Sequence, residues 1–429
     1  MMDIYEYKSL EGKNFLKELK ERGKAVQGDV TVVVEAILKD ISLRGNDAVL
    51  EYTRKFDYKG ITLDNLRVSE EEIEEALTNS DPDFIKALEK AKNNILMFHE
   101  KQKNNSWMDT QDRGIVLGQL IRPLEKVGIY VPGGTATYPS TVLMNAVPAK
   151  AAGVNRIVMV TPPGKDGKVN AGILAAASLA GITEIYKVGG AQAIGALAYG
   201  TETIPKVDKI VGPGNLYVAL AKKAVYGLVD IDMIAGPSEI LIVAEEDMDP
   251  SYIAADLMSQ AEHDVLASSI LITTSISLAA KVNIEIERQI KSLSRENIIR
   301  ESLKNYGGII ISRDIMEAID ISNHLAPEHL ELMVKEAFAY LSYVKNAGSI
   351  FLGGNSPEPL GDYMAGPNHV LPTSGTARFF SPLSLDDFVK KSGFVHYTKD
   401  ALFQVKDDII KLAETEGLTA HANSIKVRF

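Results

Sequence analysis

Two chain neighbours, Glu328 and His329, are the residues best suited to chemistry. A carboxylate beside an imidazole offers two proton acceptors of different reach and different ordinary pKa. Pro327 precedes them, which sets the pair on or beside a loop, and the apolar residues that follow place it at a cavity rim. Taken alone, the pair fits equally well a helix N-terminus carrying a glutamate and a partly buried histidine.

Three further clusters carry candidate ligands. Gln260 and His263 lie three residues apart on an expected helix that Asp249-Pro250 opens and that runs through Ile253, Leu257 and Ala261. That spacing puts both side chains on one face, where an imidazole nitrogen and an amide oxygen can grip one ion of the zinc type. By itself it also describes a surface helix with a solvated histidine. The stretch from Leu352-Gly-Gly-Asn through Asp362 and His369 to Gly375 is long, irregular and rich in Gly and Pro, and loops of this kind in compact domains are usually functional. Asp362 and His369 are its metal- or substrate-capable groups. Glu416-Gly-Leu-Thr-Ala-His421 supplies a last carboxylate and imidazole. Cysteine is absent, which excludes thiolate ligands, disulfides and cysteine nucleophiles.

The elements that must position these groups follow an α/β pattern. Short Val- and Ile-rich runs at Lys126–Val131, Arg156–Thr161, Glu184–Gly189 and Lys209–Val211 alternate with Ala-rich helical stretches, as in βαβ units of a parallel sheet. A second series follows at Glu239–Ala244, Ser269–Thr274, Gly308–Ser312 and Ser349–Leu352. Residues 1–25 read as a charged helical arm, and 29–110 as almost wholly helical. In that segment Ser69-Glu-Glu-Glu72 forms a capping box and Asp81-Pro82 opens a helix. This helical segment is expected to pack on the second series, making that domain discontinuous. Residues 385–429 read as a charged, mostly helical tail.

Gly133-Gly134, Gly189-Gly190 and Gly212-Pro-Gly214-Asn215 each follow an expected strand. Singly they are tight turns. As a set they favour a nucleotide or phosphate site of a non-standard kind, because no complete GxGxxG follows a strand.

Composition narrows the function classes. The 429-residue chain carries 46 Lys and Arg against 57 Asp and Glu, a formal charge of −11. Such a chain repels nucleic acid and anionic membranes. The most apolar stretch, Ala171 to Ile182, is too short for a bilayer, and the acidic start lacks an apolar signal region, so the expected location is the cytoplasm.

Five segments in order, Ile234–Val243, Asp256–Asp264, Leu325-Ala-Pro-Glu-His-Leu330, Gly361–His369 and Glu416–His421, resemble the histidinol dehydrogenase family. The likeness runs from about residue 25 to the end, without departure at a position that carries chemistry. It implies two incomplete Rossmann-like parallel-sheet domains with a helical N-terminal arm and a helical C-terminal tail. The implied boundaries are 1–25 for the arm, 26–127 with 239–384 for the domain carrying the metal and acid–base residues, 128–238 for the NAD-binding domain, and 385–429 for the tail. It also implies oxidation of L-histidinol to L-histidine through the aldehyde, with two NAD reduced, in a homodimer holding one zinc per subunit. Carried over by position, Glu328 and His329 are catalytic. Gln260, His263, Asp362 and His421 hold zinc, and Tyr130, Gln192 and Asn215 contact NAD. Ser238, His369 and Glu416 hold substrate together with His329 and the zinc ligands. The tail would complete the neighbouring subunit's site. With no cysteine to form a thiohemiacetal, the second oxidation requires attack by water on the aldehyde.

Two other readings use the same residues. A zinc hydrolase with Glu328 as base would need no nicotinamide. A non-catalytic nucleotide-binding protein would leave the metal-type residues without a purpose.

Overall fold

Parallel strands buried on both faces need continuous apolar sequence, whereas one-sided strands alternate. The apolar runs of the sequence obey the first rule, and each of them forms a strand. The computed structural model describes residues 1–22, 27–133 and 138–429. Gly134 and the expected arm boundary at residue 25 lie outside them. The chain divides into two compact units, residues 1–101 with 124–388, and residues 102–123 with 389–429.

Among the described residues, the first unit holds two wholly parallel sheets. One has five strands in the order Glu184–Lys187, Arg156–Thr161, Lys126–Tyr130, Lys209–Val211 and Asp230–Ile231. Alternate residues face opposite cores: Val127, Ile129, Ile157 and Met159 enter one, Tyr130, Val158 and Val160 the other. The second sheet has six strands in the order Asp3–Glu6, Gly307–Ile311, Ser268–Thr273, Glu239–Ala244, His329–Met333 and Ser349–Leu352. Its faces are filled in the same way, by Ile240 and Ile242 on one side and Leu241 and Val243 on the other.

Three features depart from the sequence reading. The N-terminal arm is not only helical: Asp3–Glu6 is an edge strand paired with Gly307–Ile311, and a helix spans Leu10–Glu21. An edge strand leaves most of its side chains in solvent, so it carries no apolar signal. The strand His329–Met333 alternates polar and apolar residues and so was not among the expected runs. Finally, the helices between residues 27 and 100, expected on the second series, pack on the layers of the five-stranded sheet. Helix Gln27–Arg44 lies against Gly190–Tyr199 and Leu216–Val225, Glu70–Thr78 against Ala171–Leu179, and Pro82–Glu100 against Pro139–Ala152. Their apolar stripes (Val34, Ile37, Leu38 and Ile41 in the first) complete the two cores of that sheet.

The expected caps are present. The Ser69 hydroxyl accepts from the Glu72 amide at 3.2 Å, and the Glu72 carboxylate accepts from the Ser69 amide at 3.0 Å. Asp81 accepts from the Asp83 amide at 2.9 Å, with Pro82 in the first turn.

The second unit contains an antiparallel sheet in the order Val389–His396, Ile115–Pro123 and Trp107–Gln111. The chain end is therefore a strand followed by helices. Thr398 caps the helix Lys399–Thr415, which packs against the helix Thr419–Lys426.

Candidate active site

The acid–base pair is delivered by a sharp change of direction. Helix Ile315–Leu325 ends at Ala326, a non-glycine residue in the left-handed region with φ of 53°. Pro327 cannot continue a helix, and the chain enters the strand His329–Met333 directly. Along that strand Leu330 and Leu332 enter the apolar core, while His329 and Glu331 face the opposite side.

Both side chains are fixed by a neighbouring strand. The Glu328 Oε2 accepts from the Glu239 amide at 2.8 Å. The His329 Nδ1 lies 2.9 Å from the Glu239 carbonyl oxygen, which can only accept, so Nδ1 carries the proton. The Gln260 Nε2, itself only a donor, lies farther from the same nitrogen at 3.3 Å, and the shorter contact with the Glu239 carbonyl decides the tautomer. His329 Nε2 is therefore the basic atom, and it is buried without a hydrogen-bond partner among the described residues. Burial lowers the His329 pKa, so the imidazole is neutral and able to accept. Burial raises Glu328 well above the ordinary carboxylate range, and the nearby Glu239 carboxylate adds to the effect.

A carboxylate cluster surrounds that free nitrogen. Donor atoms of His329, Glu358 and Asp362 lie within 4.8 Å of one another. The Glu358 Oε1, 3.6 Å from His329 Nε2, is likewise buried without a partner. Burial, then the neighbouring Asp362, push Glu358 up to about 10. A buried imidazole lone pair facing two carboxyls calls for a proton or a cation. Nitrogen and oxygen donors with no sulfur suit zinc among the common ions, so these residues fit a metal of that kind.

The expected ligands meet this cluster in part. Asp362 belongs to it, and Gln260 touches His329 from the last turn of the helix Pro250–Ala261. His263 follows that helix within one turn, its amide bonded to the Gln260 carbonyl at 3.2 Å. It shares with Asp362, Tyr138, Glu262, Arg295 and Tyr363 a cavity of about 450 Å³. Burial lowers the His263 pKa, which favours the neutral, ligating form. A second cavity of about 420 Å³ is lined by His329, Asp362 and His369. The His369 Nδ1 lies 3.7 Å from the Asp362 carboxylate and its Nε2 3.3 Å from the Thr141 hydroxyl. Ser238 is half-buried just before the strand Glu239–Ala244. Glu416 and His421 belong to the second unit, where both are exposed.

Sequence reasoning missed Glu358, Glu331, Asp256 and Glu239. Burial and mutual proximity raise the Glu331 carboxyl beside Asp256, and Glu331 Oε1 accepts from the Glu358 amide at 2.8 Å. This ties together three elements that carry site residues. The signal was available as spacing: Asp256 precedes Gln260 by four and Glu358 precedes Asp362 by four, each one helical turn, while Glu331 follows His329 by two on the strand.

The glycine turns gather at the carboxyl ends of the five-stranded sheet. Tyr130, Gly133, Gly190, Gln192 and Asn215 line one cavity of about 1120 Å³. Gly212 has φ of 111°, and a Cβ there would collide with the Tyr130 carbonyl oxygen. The Tyr130 hydroxyl accepts from the Gly190 amide at 3.1 Å, and Gln192 donates to Asp57 at 3.1 Å. Asn215 caps the helix Leu216–Val225. A large cleft with a helix N-terminus and glycine turns at strand ends is the usual setting for a nucleotide.

Fold and site together define an α/β enzyme with a nucleotide-type cleft on one parallel sheet and a buried acid–base and metal-type centre on the other. Comparison with known proteins narrows the class. The histidinol dehydrogenase family model matches residues 20–429. The histidinol dehydrogenase of Clostridium acetobutylicum is 61% identical, covering 98% of this chain and 97% of its own. That of Caldanaerobacter subterraneus subsp. tengcongensis is 58% identical over 100% and 99%. A crystal structure of histidinol dehydrogenase from Elizabethkingia anophelis superposes with a TM-score of 0.93 at 41% identity, covering 100% of this chain and 98% of that one. The chain belongs to the histidinol dehydrogenase family.

Proposed function

We propose that this chain oxidises L-histidinol to L-histidine through L-histidinal, with NAD as the oxidant in both steps. The observation that carries the reading is the state of His329: a neutral imidazole whose proton is held at Nδ1, leaving Nε2 free beside Glu358 and Asp362. An alcohol oxidation needs such a base, because the hydroxyl proton must leave as the hydride departs.

When bound, NAD takes up a hydride in each oxidation, and zinc supplies a positive centre that orients the substrate. Tyr130, Gln192 and Asn215 would hold the nucleotide in the large cleft. Gln260, His263 and Asp362 would hold the metal, with His421 as fourth ligand. In a homodimer His421, and Glu416 on the substrate, would come from the neighbouring subunit. Ser238 and His369 would fix the substrate's polar groups.

The remaining steps belong to the chain's own side chains. His329 Nε2 accepts the alcohol proton in the first oxidation. The aldehyde stays in the site, and Glu328, whose raised pKa makes it a strong base when ionised, takes a proton from water as the water attacks the carbonyl carbon. With no cysteine in the chain, no thiol addition competes. As the water adds, His329 returns its proton to the carbonyl oxygen to give the neutral hydrate, and it then accepts a hydroxyl proton of that hydrate as the second hydride leaves.

NADH formed per histidinol consumed tests the proposal. Two supports the complete four-electron oxidation; one reduces the function to a simple alcohol dehydrogenase; none refutes it. Chelation followed by zinc add-back tests the metal, and full activity of metal-free protein would remove zinc from the scheme.

A further inference from the structure

One residue outside the expected site touches both members of the acid–base pair. The Glu239 amide donates to Glu328 at 2.8 Å, and the Glu239 carbonyl accepts from His329 Nδ1 at 2.9 Å. A single residue's backbone thus sets the carboxylate's direction and the imidazole's tautomer. The Glu239 side chain is held in turn. The Glu239 carboxylate accepts from Arg22 Nη2 at 2.8 Å and from the Ser374 amide at 3.1 Å. Arg22 also donates to the Pro237 carbonyl at 3.1 Å, and its guanidinium lies 5.8 Å from the centre of the Tyr306 ring. The Arg22 side chain is 3% exposed and that of Glu239 15%, so the pair is shielded from water and salt.

We propose that Arg22 and Glu239 form a positioning clamp: the buried ion pair fixes the Glu239 backbone, which in turn holds Glu328 in place and keeps the His329 proton on Nδ1. The inference rests on the acid–base roles given above to those two residues. Neither Arg22 nor Glu239 exchanges protons with substrate. Their contribution is to leave His329 Nε2 unprotonated in every molecule, where a free imidazole would divide its population between two tautomers. Arg22 comes from the end of the helix Leu10–Glu21, so the N-terminal arm takes part in the reaction through this contact.

A geometric clamp differs from a general stabilising ion pair in what its loss does. Removing Arg22 alone strands a buried carboxylate beside Glu328 and loosens the backbone between them. Removing both charges restores neutrality and leaves a glutamine that can still accept from the Ser374 amide. Lysine keeps the charge but is shorter than the guanidinium whose Nη2 reaches both Glu239 and Pro237, and it lacks the planar group that faces Tyr306.

The test combines kinetics with a readout independent of turnover. Arg22→Gln is expected to lower kcat roughly 10- to 100-fold, with the KM for histidinol changed less than about threefold. The double variant R22Q/E239Q is expected to recover at least a few-fold of that loss, and Arg22→Lys to fall between wild type and Arg22→Gln. Histidine labelled with ¹⁵N, with His329 assigned by its loss in His329→Asn, is expected to show one Nδ1-protonated tautomer in the wild type and a mixture in Arg22→Gln. Arg22→Gln with unchanged kcat overturns the clamp. So does a wild-type His329 protonated at Nε2 or mixed, whatever the enzyme turns over. A double variant no better than Arg22→Gln, with the thermal midpoint falling in step with activity, reduces the pair to a structural ion pair and overturns the proposal. If wild-type protein forms no NADH from histidinol, the functional reading fails, and the tautomer measurement still decides the clamp.

Discussion

His329 Nε2 and Glu358 Oε1 face each other at 3.6 Å, and neither atom has another hydrogen-bond partner among the described residues. The pair is arranged for something placed between or beside it. Without a cation, Glu358 is held protonated by burial and Asp362, its pKa pushed up to about 10. Glutamine copies that protonated form closely. Glu358→Gln should therefore leave the melting temperature of metal-free protein nearly unchanged, yet weaken zinc binding by roughly 10- to 100-fold. Competition against a chromophoric chelator measures the affinity. Equal affinity in the two proteins would show that Glu358 plays no part near the metal.

Glu328→Gln separates the two oxidations. The glutamine keeps the contact with the Glu239 amide but cannot take a proton from water. Oxidation of histidinal to histidine should fall by about 10²- to 10⁴-fold, with histidinol-to-histidinal oxidation spared more. Single-turnover assays started from each substrate resolve the half-reactions, and equal losses in both would contradict the division of labour between Glu328 and His329.

Shared sites in a homodimer make a prediction that needs no structure. His421→Asn damages the tail and Glu328→Gln the body of the protein. If each site combines one subunit's body with the other's tail, hybrids of the two variants, each impaired in forming histidine, regain one intact site. Random mixing then restores about a quarter of wild-type histidine formation. Refolding the variants together and measuring histidine formed from histidinol tests this, and mixtures as impaired as their parents argue for sites built within one subunit.

The buried carboxyls make stability depend on pH. Asp256 is raised to about 6 by burial, and Glu331 is raised well above the ordinary range by burial and by Asp256. Their folded pKa values exceed the unfolded ones, so the folded chain binds more protons between them. Stability is then greatest below the unfolded values near 4 and is lost as pH rises through the folded values. Metal-free protein should unfold at lower urea concentration at pH 8 than at pH 5. Asp256→Asn should flatten that dependence by on the order of 1 kcal/mol. An unchanged slope would mean that the pair titrates normally.

Lys222 and Asp232 form a buried ion pair that holds the Gly212 turn, packed against Tyr130 of the large cleft. Lys222 donates to the Gly212 carbonyl at 2.9 Å, and Asp232 accepts from the Gly212 amide at 2.8 Å. Lys222→Met should cost about 3–5 kcal/mol of stability by leaving Asp232 buried and unpaired. It should also raise the KM for NAD several-fold more than that for histidinol. Denaturant unfolding and paired KM measurements check both.

Much was legible in the sequence because it is encoded locally. Apolar runs marked the buried parallel strands, Ser69–Glu72 and Asp81-Pro82 marked helix starts, and Glu328–His329 set a carboxyl and an imidazole side by side by residue type. The absence of cysteine limited how an aldehyde can be oxidised. The tertiary structure alone decided which ring nitrogen of His329 is left able to accept a proton. That depends on the Glu239 carbonyl, brought beside it by parallel pairing of strands 90 residues apart in sequence. The same is true of Arg22, 217 residues from Glu239, and of Glu358, whose role appears only when its helix closes over His329. Residue type and spacing specify what a group can do and which face it shares with near neighbours. Protonation and orientation are set by burial and by partners from distant segments, and no local pattern contains those.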